Sequence, residues 1–321
     1  MKMKIQFFII VIGVLFYTNG IAQTNTTDFK QVDEYVASLG TLDTLNMGTI
    51  SYTITKKFTD NKQKVRAIFD WIAYNIAYDC KAARANDNEK NTADIILKTR
   101  KATANGYAAL FQDMCSVVKI RCLTVDGYGK RLVEEIGEKP DQFNHTWAVV
   151  QLGQSPEDWH YVDPTWGSGY TDEKVLVFTK KYNDNYFFAN KTIFNYHHFP
   201  DNVAWLLGVG SKSVKEFLQR PVVQNAAYDF GITNFLPLNG KINAKVNMPI
   251  SFSFKINTDI PIQIVAIEYG DNKKKKLKTV DFTTKGGGIS FSYKFDEEEI
   301  YSVNIIINNQ SVIGYLVEIK E

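Results

Sequence analysis

Asn144-His145-Thr146-Trp147-Ala148-Val149 and, after one turn, Trp159-His160-Tyr161-Val162-Asp163-Pro164-Thr165-Trp166-Gly167 are the two stretches from which the rest of this chain is best read. Apolar residues alternate with polar ones from Thr146 to Leu152 and again from Trp159 to Val162, so both read as strands, joined by the turn Gly153 to Asp158. His145 and Asp163 lie 18 positions apart, an even spacing. In an antiparallel pair this puts both side chains on one face, and a register with His145 opposite Asp163 also sets Trp147 opposite Tyr161 and Val149 opposite Trp159. A carboxylate there would bond the imidazole, fix its tautomer and raise its basicity. Taken singly, each residue reads equally well as half of a structural pair at a sheet edge.

Upstream the period changes. From Asn61 to Asp79 the residues Val65, Ile68, Phe69, Ile72 and Ile76 recur at steps of three and four, which predicts an amphipathic helix. Two further helical pieces are expected between Phe29 and Phe58, and the polar run Lys81 to Asn91 reads as an exposed loop. A second helix opens at Asn105-Gly106, with Leu110, Phe111, Met114, Cys115 and Val118 as its buried stripe. Cys122 to Tyr128 is a third strand. Helices followed by an antiparallel sheet make an α+β domain.

The start of that second helix is the most informative point. The segment reads Leu97-Lys98-Thr99-Arg100-Lys101-Ala102-Thr103-Ala104-Asn105-Gly106-Tyr107-Ala108-Ala109-Leu110-Phe111. With the two histidine- and aspartate-bearing stretches, it resembles the transglutaminase-like superfamily. The run Tyr182 to Leu207, through His197-His198-Phe199-Pro200, resembles the tail of this core in bacterial relatives of the kyphoscoliosis peptidase. The resemblance covers roughly residues 60 to 207 and implies a papain-like/transglutaminase-like core with a Cys, His and Asp triad. It places the histidine at His145, the aspartate at Asp163 and the nucleophilic cysteine at Ala104. A thiol is well placed at a helix N-terminus, where unsatisfied N–H groups favour the thiolate, whereas a methyl group neither ionises nor attacks a carbonyl. Relatives also commonly carry glycine at the position of Ala102, where a methyl restricts the backbone if the turn needs positive φ. Cys80, Cys115, Cys122, Ser116 and Ser168 have no motif that brings them to His145. Cys115, eleven residues on, lies roughly 16 Å along the helix axis from Ala104.

The resemblance and the missing thiol together imply a pseudoenzyme that binds a peptide or protein in the former active-site cleft, with Trp166 and Tyr170 as cleft candidates. The alternatives are an active cysteine peptidase or acyl transferase whose cysteine is replaced in this variant, and a structural or adhesive surface protein. No cofactor is expected. His160, His197 and His198 lack HExxH or other metal-ligand spacing and read as surface or core histidines.

The chain has 321 residues, enough for two domains, and 45% hydrophobic residues support an ordinary core. The balance of 37 basic and 35 acidic residues argues against nucleic-acid binding. Lys2 and Lys4 precede the uncharged, mostly apolar run Ile5 to Tyr17, and Gly20-Ile21-Ala22 follows. This reads as a signal peptide over residues 1–22, too short in its apolar part for the roughly 20 residues of a membrane span. It implies export to a periplasm, cell surface or medium, with no membrane span in the mature chain. Three cysteines leave at least one thiol unpaired, and all three read as small buried hydrophobes.

The transglutaminase-like domain is expected over residues 23–220, with Pro221 at the boundary. Beyond it, Ile250 to Ile256, Ile262 to Tyr269, Lys276 to Phe282, Ile289 to Phe295, Tyr301 to Ile307 and Val312 to Ile319 are short apolar runs between turns, with a weaker strand near Ile242. That spacing predicts an all-β immunoglobulin-like sandwich over residues 221–321. Lys273 to Lys276 reads as a solvated hairpin turn and Gly286-Gly287-Gly288 as a flexible one.

Overall fold

The computed structural model describes residues 29–321 apart from 88, 90 and 271–274. The expected signal peptide, and Lys273 and Lys274 of the expected lysine turn, lie outside the described residues.

The first part runs α1 (Lys30–Leu39), α2 (Met47–Thr55), α3 (Asn61–Asn75), β1 (Ala77–Tyr78), α4 (Cys80–Arg84), α5 (Ala93–Thr99), β2 (Lys101–Ala102), α6 (Ala104–Val117), β3 (Arg121–Gly129), β4 (His145–Gln151), β5 (Trp159–Val162), α7 (Pro164–Ser168), β6 (Gly169–Thr171), β7 (Phe178–Lys180), α8 (Lys191–His197), β8 (His198–Pro200) and α9 (Val214–Gln219). Its sheet has the order β5-β4-β3-β8, antiparallel throughout. Helices α3 and α6 and this sheet share one apolar core, in which Ile68, Phe69, Trp71, Ile72, Leu110, Phe111, Met114, Ala148 and Val150 are buried.

Helix α3 departs from the amphipathic expectation, because Val65 to Ala73 are buried without interruption. The two charges in that run are accommodated by pairing. Arg66 bonds both carboxylate oxygens of Asp33 (2.9 and 3.0 Å) and lies 3.1 Å from Asp70. Burial dominates at Asp70 and pushes its carboxyl up to about 8 against the pull of Arg66. The helix also ends at Asn75, short of Asp79. Residues 77–78 pair in parallel with β2, which ties the end of α3 to the segment leading into α6. Helix α4 occupies part of the run expected as a loop. Asp79 caps it by accepting from the Ala82 N–H, and only Cys80 and Ala82 in it are buried, so an apolar period had little to show.

The second part comprises β9 (Val222–Val223), α10 (Ala226–Asp229), β10 (Thr233–Leu236), β11 (Lys241–Lys245), β12 (Ile250–Lys255), β13 (Val265–Tyr269), β14 (Lys276–Thr279), β15 (Thr283–Lys285), β16 (Gly288–Tyr293), β17 (Ile300–Ile307) and β18 (Gln310–Lys320). Two sheets, β10-β12-β16-β15 and β11-β18-β17-β13-β14, enclose a core that includes Phe252, Phe291, Val303, Ile305 and Tyr315. Strand β11 runs parallel to β18, while the other pairings of this part are antiparallel. A four-stranded sheet facing a six-stranded one, β9 included, across a shared core is a sandwich of the immunoglobulin type. Strand β9 shares the free edge of β18 with β11, Val223 opposite Ile313 and Val222 opposite Gly314. The three cysteines are free and buried.

Candidate functional site

Two local devices position the histidine. The Asn144 carboxamide accepts from the Gly129 N–H (2.7 Å) and donates to the Gly129 carbonyl (2.9 Å), so it pairs with the end of β3 as another strand would and fixes the first residue of β4. Gly129 leaves room for the ring above it, since a Cβ there would stand 3.2 Å from His145 Cβ and 3.3 Å from the Trp166 indole.

Asp163 follows β5 directly and is not a strand residue. Pro164 cannot extend the ladder, but it is well suited to the first position of a helix, and Asp163 becomes the N-cap of α7. Its Oδ1 accepts from the N–H groups of Thr165 (2.9 Å) and Trp166 (3.0 Å). The register of β4 and β5 therefore differs from the expected one by two residues: Val149 pairs with Tyr161 and Gln151 with Trp159. The shift is even, so the face is kept, and Asp163 reaches His145 diagonally. His145 Nε2 lies 2.6 Å from Asp163 Oδ2.

A second imidazole joins them. His198, at the start of β8, places its Nε2 3.1 Å from the same Oδ2. A carboxylate only accepts, so the proton sits on Nε2 of both rings and Asp163 receives four hydrogen bonds. Asp163 is fully buried. Burial alone would raise its carboxyl, yet His145 and His198 together hold it well below the usual range. Burial lowers His198 to about 4, against its bond to Asp163, so it is neutral near pH 7. Its other nitrogen, without a proton, brings a lone pair to 3.3 Å from the Phe194 carbonyl, a contact and not a bond. With Nε2 committed to Asp163, Nδ1 of a neutral His145 is the atom left able to accept a proton.

The sequence did not reveal His198, because no local pattern sets it apart from His197 or His160. His145, Asp163 and His198 bring one donor atom each to within 4.8 Å of one another, the one such group of three possible metal ligands among the described residues. The hydrogen bonds already account for that geometry.

Ala104 is the first residue of α6, after Thr103 as N-cap. The Thr103 side chain caps nothing; its hydroxyl accepts from Asn91 Nδ2 (2.8 Å), and Asn91 Oδ1 accepts from the Thr103 N–H at 3.3 Å. Gly106 makes this packing possible, since a Cβ there would fall 2.3 Å from Asn91 Oδ1. Ala102 belongs to β2 and does not have positive φ, so the strain expected at that position is absent.

A cleft of about 1090 Å³ brings these parts together. Ala104, Asn105, His145 and Trp166 line it, with Tyr170 and Phe178 at the β6–β7 hairpin and Gln224 and Asn225 from the second part. Tyr170 is exposed and Trp166 half-buried. Trp147 and Tyr161 are wholly buried. None of Cys80, Cys115, Cys122, Ser116 and Ser168 lines the cleft.

Comparison with known proteins matches residues 48–164 to the family model described as the transglutaminase-like superfamily. The chain is 36% identical to the kyphoscoliosis peptidase of Mus musculus over 205 residues, 61% of this chain and 31% of that protein. It is 33% identical to the kyphoscoliosis peptidase of Homo sapiens over 239 residues, 71% of this chain and 35% of that protein. Hillarin of Drosophila melanogaster is 23% identical over 227 residues, 65% of this chain and 26% of that protein. The chain thus spans about a third of the length of the curated relatives it matches. The family match and the helices packed on an antiparallel sheet agree: residues 48–164, which hold His145 and Asp163, form a transglutaminase-like domain.

Proposed function

We propose that this is an exported, catalytically silent transglutaminase-like protein that binds a peptide or protein segment in the cleft between α6 and the β4–β5 hairpin. One observation carries the reading: His145, held by the buried Asp163, lines a cleft where the first turn of α6 presents the methyl group of Ala104, at the position where the family resemblance places the nucleophile. A base without a nucleophile cannot form an acyl-enzyme, and loss of the nucleophile in a comparable triad costs on the order of 10⁶ in turnover. Binding makes no such demand. The N–H groups of the first α6 turn lack a side-chain cap and can donate to a ligand carbonyl. Trp166 and Tyr170 supply aromatic surface, and charged lining residues of both signs, Arg84 and Arg131 beside Asp126 and Asp141, suit a peptide better than a nucleic acid. The basic and apolar leader, residues 1–22, supports export. No helix among the described residues is long and apolar enough to cross a membrane. The sandwich, in this reading, closes one wall of the cleft through Gln224 and Asn225.

The test has two arms. A peptide array probed with the protein should give binders whose affinity drops by about tenfold or more in Trp166→Ala and Tyr170→Ala, as expected for central aromatic anchors. An acyl probe reactive toward thiols should leave no adduct that depends on His145. Covalent, His145-dependent labelling would mean an active acyl transferase. Binding unaffected by both aromatic substitutions would leave a structural or adhesive protein.

A further inference from the structure

Helix α7 ends at Ser168, and the next three residues, Gly169–Thr171, form β6, a strand whose one partner in a ladder is β7. The bonds on either side of it fix which way its main chain points. The Asp172 N–H donates to the Val177 carbonyl (3.1 Å) and the Lys181 N–H to the Ser168 carbonyl (3.0 Å), and between them Tyr170 stands opposite Thr179. In an antiparallel ladder bonded pairs alternate with unbonded ones. Gly169 and Thr171 are therefore the residues whose N–H and C=O groups turn away from β7, and these four groups have no main-chain partner among the described residues. Both residues are half-buried and line the cleft. An open strand edge of this kind is a template for another extended chain.

A charge stands at the same edge. Arg131 Nη1 donates to Thr171 Oγ1 (2.9 Å), and among the described residues no carboxylate pairs with this half-buried guanidinium. Glu135, four residues on, is engaged by the main chain instead: its Oε2 accepts from the N–H groups of Arg131 (2.6 Å) and Leu132 (2.9 Å). Residues directly opposite each other on two strands project their side chains to one face. A residue set opposite Thr171 by an added strand would thus project to the face where Arg131 lies, and Phe178, the β7 partner of Thr171, shares that face and lines the cleft. An ammonium there would be repelled and a neutral side chain would leave the guanidinium unpaired, whereas a carboxylate would receive charge-assisted hydrogen bonds from it.

We propose that the cleft holds its peptide as an extended strand added to the free edge of β6, paired with the main chain of Gly169 and Thr171, and that Arg131 selects an Asp or Glu side chain at the position opposite Thr171. The proposal rests on the reading of the cleft as a peptide-binding site and supplies the binding mode and the sequence preference.

The test uses the full chain labelled with ¹⁵N and pools of acetylated, amidated hexapeptides in which Glu, Gln or Lys is fixed at one position and the others vary. Glu pools should shift the amide signals of Gly169 and Thr171 saturably, with an apparent affinity about tenfold above that of the matching Gln pools, and Lys pools should be weaker still. Arg131→Gln should erase the preference for Glu while the Gln pools still bind. In the tightest single peptide, tested on the unaltered protein, N-methylation should cost binding at every second residue and be tolerated between, because alternate N–H groups face β6. Glu pools no better than Gln pools, a Glu preference that survives Arg131→Gln, or methylation losses without a period of two would overturn the proposal. Peptides that move the Trp166 indole signal but not Gly169 and Thr171 would defeat this binding mode and leave the peptide-binding cleft standing. Pools that move no cleft signal at all would defeat both.

Discussion

Replacing Ala104 by cysteine tests whether the start of α6 still has the electrostatics of a thiol enzyme. Ala104 is the first residue of a 14-residue helix whose N-cap offers no side-chain bond, and it lines the same cleft as His145. Helix dipole and imidazole both favour a thiolate there. A free thiol with a pKa of about 8.5 is about 3% ionised at neutral pH, and a drop of one unit raises that to about 24%, a gain of about eightfold. The less basic thiolate is intrinsically slower by about threefold per unit, so the net gain in alkylation rate is about threefold over a free thiol. The gap to Cys80 and Cys115 should be wider, on the order of tenfold or more, because burial raises both thiols. Iodoacetamide labelling of Ala104→Cys, followed by peptide mapping against time, measures all of the thiols in one sample. His145→Ala in the same background should remove most of the advantage. An introduced thiol that reacts no faster than an unperturbed one, or whose rate ignores His145, would show that the site has been assigned wrongly. Amide hydrolysis need not return, since it also requires a correctly seated substrate.

Other outcomes follow from the same geometry. Asp163→Asn removes a carboxylate that accepts from two α7 N–H groups and two imidazoles, and should lower the unfolding free energy in urea by about 3 kcal/mol; a loss below about 0.5 kcal/mol would contradict the described bonding. Acid should also destabilise the fold. The depressed Asp163 carboxyl stabilises it above the ordinary value of about 3.9, and that contribution is lost as pH falls through its lower folded value. His198 stays neutral down to about 4 while an unfolded histidine takes its proton near 6.5, so stability should fall between those limits by up to about 3 kcal/mol. Buried His197 acts in the same direction. His198→Phe should flatten the profile in that window, and an unchanged slope would exclude His198 as its source. Gly106→Ala would ordinarily help a helix, but here the new methyl meets Asn91, which is tied to Thr103, so a loss of about 1–3 kcal/mol is expected. A raised Tm would count against that packing.

How much of this was legible in the sequence depended on whether the signal was local. Val65 to Ile72 and the strands β3 to β5 carry their period in consecutive residues, and each lies where the spacing put it. The pair His145 and Asp163 was legible because parity survives a register shift of two. The shift itself came from Asp163-Pro164 acting as a helix cap rather than as strand, a choice that strand alternation does not encode. Helix α4 was missed because it buries only Cys80 and Ala82. The uninterrupted burial of α3 was hidden by Arg66 and Asp70, which look solvent-facing until Asp33 and Tyr182 are brought beside them from distant parts of the chain. His198 was invisible for the same reason: its partner lies 35 residues away, and nothing adjacent marks it.

Strand β9 has a consequence for the order in which the molecule can be assembled. Val222 and Val223 immediately precede Gln224 and Asn225 of the cleft wall, and they are held in place by Gly314 and Ile313 of β18. On a ribosome that delivers the chain from its N-terminus, the helices of the first part, the β4–β5 hairpin and the group His145, Asp163 and His198 can all form while β18 is still being delivered. The cleft would then exist as an open trough. It would gain its far wall only when the last strand of the sandwich arrives, so the cleft would be completed at the end of folding, as a long-range closure.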